Sequence, residues 1–154
     1  MTELPYRPCV GMMMLNREGL IFAGKRIDQS VEAWQMPQGG IDAGEEPVAA
    51  AYRELEEEVG TRDAELLREH PDWLTYDLPP RLIGFALQGR YRGQRQKWFA
   101  FRFRGRDGDI DLATPHQEFS EWRWLEAREL EQLIVPFKRD IYGKVFAGFA
   151  DLLA

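Results

Sequence analysis

A single cysteine, Cys9, stands in the whole chain, so no disulfide can close within it. A reducing compartment is the simplest expectation. Cys9 itself reads as a buried strand residue with no motif for nucleophilic work beside it. Long apolar runs are missing too. No stretch approaches the roughly 18 consecutive apolar residues of a membrane-crossing helix. The opening segment MTELPYRPCVG lacks the apolar block of a signal peptide. The expectation is therefore a cytoplasmic protein with no membrane partner. Histidine is scarce: His70 and His116 are the only two, and both read as surface residues rather than ligands. Positive charge is in deficit, with 20 Lys and Arg against 26 Asp and Glu and a net charge of −6. That argues against a protein that coats nucleic acid with its whole surface, but it leaves room for a local basic pocket. Repeats, linkers and low-complexity segments are absent.

What is present fits one domain spanning 1–154. The 154 residues can bury a sizeable core, and 44% are hydrophobic and 12% aromatic. Two apolar runs, 8–16 and 20–26, flank the turn Arg17-Glu18-Gly19 and suggest a hairpin. Residues 33–45 hold Pro37, Gly39, Gly40 and Gly44 and read as a loop. Residues 61–80 look irregular, and 81–87 and 97–103 read as strands. In the second of these Phe99, Phe101 and Phe103 alternate with Ala100 and Arg102. Residues 121–125 read as a further short strand whose Trp122 and Trp124 belong to the core. Two helices, 126–134 and 138–153, follow on either side of Pro136. The mixture predicts an α/β or α+β domain.

The densest chemistry lies in QGGIDAGEEPVAAAYRELEEEVG, residues 38–60. Pro47 suits a first helical position, and Gly60 is a stop. Between them Val48, Ala51, Tyr52, Leu55 and Val59 follow helical spacing and predict an apolar stripe. At 100° per residue Glu54, Glu57 and Glu58 fall within an arc of roughly 100°, centred well away from that stripe. Two such charges about 5 Å apart repel by roughly 3 kcal/mol at an effective dielectric near 20. A solvated acidic face is the plain explanation for such a cluster. A hard divalent cation is the sharper one, because carboxylate oxygens suit Mg²⁺ or Mn²⁺. The glycine-rich turn that leads into the helix also lets backbone approach phosphates.

The spacing of Gly39, Glu45 and the run Arg53-Glu54-Leu55-Glu56-Glu57-Glu58-Val59-Gly60 resembles the Nudix box. Thr61 departs from it, where the family carries a bulky aliphatic residue. The resemblance implies a Nudix fold, a mixed β-sheet sandwiched between α-helices. It implies a hydrolase of nucleoside diphosphates linked to another group. Glu54, Glu57 and Glu58 would hold the cation, Glu54 would take a proton from water, and Arg53 and Glu45 would pair to hold the loop on the helix. A backbone carbonyl from 38–40 would add a ligand.

Further segments, among them WQMPQGG, QKWF and FKRD, resemble the bacterial RNA pyrophosphohydrolase group of that family, which includes dinucleoside polyphosphate hydrolases. The likeness runs from Tyr6 to about Val145. It implies a basic lining of Arg7, Arg26, Gln94, Gln96, Lys97 and Lys138 for a phosphate chain. Glu118 would be a further metal ligand or base, Phe137 a stacking surface, and Tyr76 a neighbour of the phosphates. The implied substrate is a 5′-triphosphate RNA end, converted to a monophosphate in mRNA decay. The alternatives are diadenosine tetra- or pentaphosphate, a nucleotide-pool sanitising role, and a non-catalytic binding module of the same fold. Each residue has a plainer reading. Lys97 shares a register with Phe99 and could be a strand-end lysine snorkelling past the core. Phe137 could be core, Arg7 and Glu118 solvated, and Tyr76 and Trp73 packed under a loop.

Overall fold

The computed structural model describes residues 4–27 and 33–154. Its backbone is a sheet in which β1 (Tyr6–Leu15) and β6 (Gly93–Phe103) run parallel along their whole length, from Tyr6 opposite Gly93 to Leu15 opposite Arg102. β5 (Ala64–Asp77) closes one side, antiparallel to β6. On the other side β1 is shared. Its end meets β2 (Ile21–Arg26) at Leu15 and Ile21, while its middle pairs with β4 (Gln38–Gly40). β2 carries β3 (Trp34–Gln35) and β7 (Phe119–Leu125). The strand order is therefore β3-β2-β1-β6-β5.

The period-two alternation sorts the side chains into two cores. Val10, Met12 and Met14 join Phe99, Phe101 and Phe103 beneath α1 (Pro47–Val59). Met13, Leu15, Trp98 and Ala100 face the other way, onto α2 (Ala127–Leu133) and α3 (Arg139–Gly148). This is the expected sheet between helices. α1 starts at Pro47 and ends at Gly60, whose φ of 82° is the left-handed stop. Its buried face differs from the predicted stripe: Val48 is exposed, while Ala50 and Glu58 are buried.

Four local expectations need correction. Residues 61–80 are not irregular, because β5 occupies Ala64–Asp77. Its Pro71 sits where the register shifts between Glu69 and Trp73 on an edge strand, the place where a sheet tolerates proline. Residues 81–87 are not a strand but two 3₁₀ turns, Pro80–Leu82 and Leu87–Gly89, with Gly84 between them at φ 91°. The helix expected over 138–153 is divided into a 3₁₀ turn at Pro136–Lys138, α3 and a second turn at Ala150–Leu152. The loop expected over 33–45 contains β3 and β4.

Side chains correct the readings of His70, Trp122 and Trp124, while Cys9 is as expected. His70 is buried rather than on the surface. Its Nδ1 accepts the Asp72 N–H at 3.1 Å and its ring meets Phe149 edge-on. Trp122 and Trp124 are half-buried rather than core. Trp122 stacks on Phe22, and Trp124 Nε1 donates to Asp107. Cys9 is fully buried, and burial pushes its thiol up to about 11.

Candidate active site

The glycine turn is strapped to β1 at both ends. The Met12 N–H donates to the Pro37 carbonyl at 3.0 Å, and the Ile41 N–H donates to the Pro8 carbonyl at 3.0 Å. α3 adds a third tie, because the Tyr142 hydroxyl accepts the Met36 N–H at 2.8 Å. The glycines are needed for space. A Cβ on Gly39 would collide with the Glu54 carboxylate, and one on Gly40 would lie 2.5 Å from Arg7 Nη2. Gly60 lies against the Asp111 carbonyl, so it is restricted by contact as well as by its φ.

Arg53 locks turn to helix. Its Nε donates to Glu45 Oε2 at 2.9 Å and its Nη2 to Glu45 Oε1 at 2.8 Å. The same Nη2 reaches the Gly40 carbonyl at 2.8 Å, and Nη1 donates to Glu54 at 2.8 Å. This bidentate, charge-assisted geometry is what the guanidinium fork provides. It holds the Glu45 carboxyl at about 2, with the Asp42 N–H adding a further hydrogen bond.

The acids next to it are in a different state. Glu58 is 7% exposed, and its Oε2 accepts the Gln38 N–H at 3.2 Å. Burial pushes its carboxyl well above the usual range, and the charges of Glu118 and Glu54 push the same way. Burial also raises Glu54, aided by Glu57 and opposed by Arg53. Glu57 is the most open of the three, with Arg53 Nη1 at 3.3 Å. Among the described residues no three His, Cys, Asp or Glu side chains already close on one ion-sized point. The donor chemistry nevertheless fits a hard divalent cation. Several carboxylates are withdrawn from water and press on one another, and a cation is the charge that relieves both penalties.

Glu54, Glu57, Glu58 and Glu118 line a cleft of about 1130 Å³. Arg7, Arg26 and Lys138 line the same cleft, so it carries both signs of charge. Tyr76 and Phe137 lie 5.9 Å apart, centroid to centroid. The Lys138 ammonium sits 5.7 Å from the Tyr76 ring and 5.9 Å from Phe137, at 4% exposure. Burial pushes the Tyr76 phenol up, so it stays a neutral donor. Gln94 reaches the cleft wall, and Gln96 lies behind it. Gln96 Nε2 donates to Gln94 Oε1 at 2.7 Å and to Gln38 Oε1 at 3.1 Å, while its own Oε1 accepts Trp98 Nε1 at 2.8 Å. Gln96 thus supports the wall rather than forming it.

Lys97 is placed elsewhere. It alternates to the α1 side of the sheet with Phe99, and its ammonium lies 3.8 Å from Glu69 and 6.0 Å from the Trp73 ring centroid. The cleft also uses residues that sequence reasoning passed over. Gln35 contributes to its lining, and so does exposed His116, while Gln38 brings its side chain from the turn expected to offer only a backbone carbonyl. Arg81, Leu82 and Leu87, from the segment read as a strand, line it too, and so does Gln88 just beyond it. Charge was the available signal there. Residues 78–97 contain five basic residues and no acid, in a chain of net charge −6.

A NUDIX domain is matched over residues 5–145. The chain is 58% identical to the RNA pyrophosphohydrolase of Cereibacter sphaeroides over 153 residues, covering 98% of this chain and 94% of that one. It is 60% identical to the RNA pyrophosphohydrolase of Rhodospirillum rubrum over 150 residues, covering 96% and 90%. Among solved structures it is similar to a C. elegans Ap4A hydrolase binary complex, with a TM-score of 0.67, 18% identity, and 94% and 98% of the two chains covered. It is also similar to the E. coli dihydroneopterin triphosphate pyrophosphohydrolase, with a TM-score of 0.66, 18% identity, and 91% and 96% covered. At that identity the likeness speaks to fold.

Proposed function

The chain belongs to the NUDIX family, and on that premise we propose that it is a pyrophosphohydrolase of RNA, converting a 5′-triphosphate end to a 5′-monophosphate end. The observation that carries this reading is the cleft with two characters. Four carboxylates line it, and the same space holds Arg7, Arg26 and Lys138 beside the Tyr76–Phe137 pair. A phosphate chain ending in a nucleotide needs all three: a cation site at the bond that breaks, fixed positive charge for the remaining phosphates, and an aromatic surface for a base.

In the reaction a water oxygen bonds to phosphorus, the phosphoanhydride bond breaks, and pyrophosphate leaves. A divalent cation, Mg²⁺ or Mn²⁺ in this reading, would be held by Glu54, Glu57, Glu58 and Glu118, and when bound it offsets phosphate charge and acidifies water. The chain's own residues do the rest. Glu54 accepts the proton of the attacking water at its carboxylate. Arg53 keeps Glu54 in place through the 2.8 Å hydrogen bond and fixes the turn through Gly40 and Glu45. Arg7, Arg26 and Lys138 orient the phosphates beyond the one attacked. Phe137 stacks on a base, and Tyr76 donates its phenol to the phosphate chain.

The RNA substrate also gives the protein a place in mRNA decay and a cytoplasmic location. No helix among the described residues is long and apolar enough to cross a membrane. Product analysis tests the reading. A 5′-triphosphorylated oligonucleotide incubated with the protein and Mg²⁺ should release pyrophosphate and acquire a 5′-monophosphate. An unchanged 5′ end would overturn it.

A further inference from the structure

Phe85 is 83% exposed, the most exposed of the large apolar side chains described. An exposed apolar residue is ordinary on a protein surface, but this one has a particular setting. It sits at the tip of the loop between β5 and β6. The residues before it, Arg81 and Leu82, and those after it, Ala86, Leu87 and Gln88, all line the cleft. Phe85 therefore stands on the cleft's rim.

The tip is built. The Phe85 N–H donates to the Leu82 carbonyl at 3.1 Å, and the Ala86 N–H donates to the same oxygen at 2.9 Å. Leu87 and Gln88 then take φ of 54° and 62°, a left-handed conformation uncommon for residues other than glycine. The chain thus bends in a strained turn immediately after it sets Phe85 outward. The segment itself is basic: no Asp or Glu occurs from 78 to 97. Arg81 and Arg90 are both exposed, and among the described residues neither forms an ion pair with a carboxylate. An exposed ring flanked by exposed guanidinium groups is the combination that binds single-stranded nucleic acid: rings stack on bases and cations follow the backbone.

We propose that Phe85 is a stacking surface for a base of the RNA body, downstream of the base held at Phe137, with Arg81 and Arg90 meeting the intervening phosphates. This rests on the RNA-end reading and deepens it. The cleft takes the triphosphate and the nearest nucleotide, and the rim takes the chain that leaves it. The proposal explains why a protein of net charge −6 keeps one segment free of acids beside its active site.

The test is kcat/KM for triphosphorylated substrates of one, two, three and four nucleotides, at one Mg²⁺ and one salt concentration. The proteins compared are the wild type, Phe85→Ala and Phe85→Trp. The wild type should gain with length. Phe85→Ala should lose about tenfold on the three- and four-nucleotide substrates, the scale of one stacked base, and change little on the single nucleotide. Phe85→Trp should restore the gain. A Phe85→Ala enzyme with the wild-type length dependence would overturn the subsite and leave the rim to a protein partner. Equal losses at every length would also overturn it, since they mark a structural role. A wild type that processes no RNA end would instead overturn the reading beneath it.

Discussion

The Gln38 backbone N–H donates to Oε2 of Glu58 at 3.2 Å, so the glycine turn closes directly over a carboxylate that is 7% exposed. A single hydrogen bond does not compensate a carboxylate for losing water. The raised carboxyl of Glu58 follows from that burial first, and from Glu118 and Glu54 second. The same contact that shapes the turn therefore helps keep Glu58 out of water beside Glu54 and Glu118.

Replacing Glu54, Glu57 or Glu58 singly by Gln should lower turnover by at least about a hundredfold, the scale of lost proton transfer or metal assistance. Steady-state rates at limiting and saturating Mg²⁺ check this. Near-normal rates in all three variants would reduce the cluster to an acidic surface.

In EDTA, Glu58→Gln should melt at a higher temperature than the wild type at neutral pH. The sign follows from the direction of the shift. A carboxyl raised in the folded state binds its proton more tightly there than in the unfolded chain. The wild type is then penalised as pH rises above the ordinary glutamate value of about 4.3. The difference between the two proteins should vanish below that value. A gap that persists at low pH would assign the effect to packing instead.

Glu45 should behave in the opposite way. Its carboxyl is held at about 2 by Arg53, below its unfolded value of about 4.3. The pair therefore stabilises the fold above about pH 4.3, and that stabilisation is lost as pH falls toward 2. Between those limits the wild-type melting temperature should fall more steeply than that of Glu45→Gln. Parallel curves would mean that the Arg53 contacts hold equally well without the charge.

Mg²⁺ or Mn²⁺ should raise the wild-type melting temperature by mass action. The rise should shrink in a Glu57→Gln, Glu58→Gln double variant, and thermal melts with and without metal measure it. An identical response in both proteins would place the cation elsewhere.

Much of this arrangement is legible in the sequence because its signals are local. Pro47, Gly60 and the run between them specify α1, and the alternation of Phe99, Phe101 and Phe103 specifies β6. The box spacing puts Glu45 and Arg53 within reach of each other. The failures are tertiary. β5 hides behind Pro71, which only a bulge on an edge strand accommodates. The segment 81–87 has strand-like composition, but Gly84, Leu87 and Gln88 turn left-handed. That turn converts an expected strand into one wall of the cleft. Glu58 sits beside Ala51 on the helix, so its burial depends on what packs over it, which helical periodicity alone does not report. Lys97 and Gln96 are neighbours in sequence. Period two sends Gln96 behind the cleft wall and Lys97 to the opposite face, toward Glu69.

The most direct measurement is kcat/KM for three substrates side by side, at one salt and one Mg²⁺ concentration: a short triphosphorylated oligonucleotide, diadenosine tetraphosphate and ATP. An enzyme built around an RNA end should favour the oligonucleotide, because further nucleotides offer base and phosphate contacts that the other two lack. A preference for diadenosine tetraphosphate of more than about tenfold, or 1.4 kcal/mol in transition-state binding, would contradict the RNA reading and put the dinucleoside polyphosphate in its place.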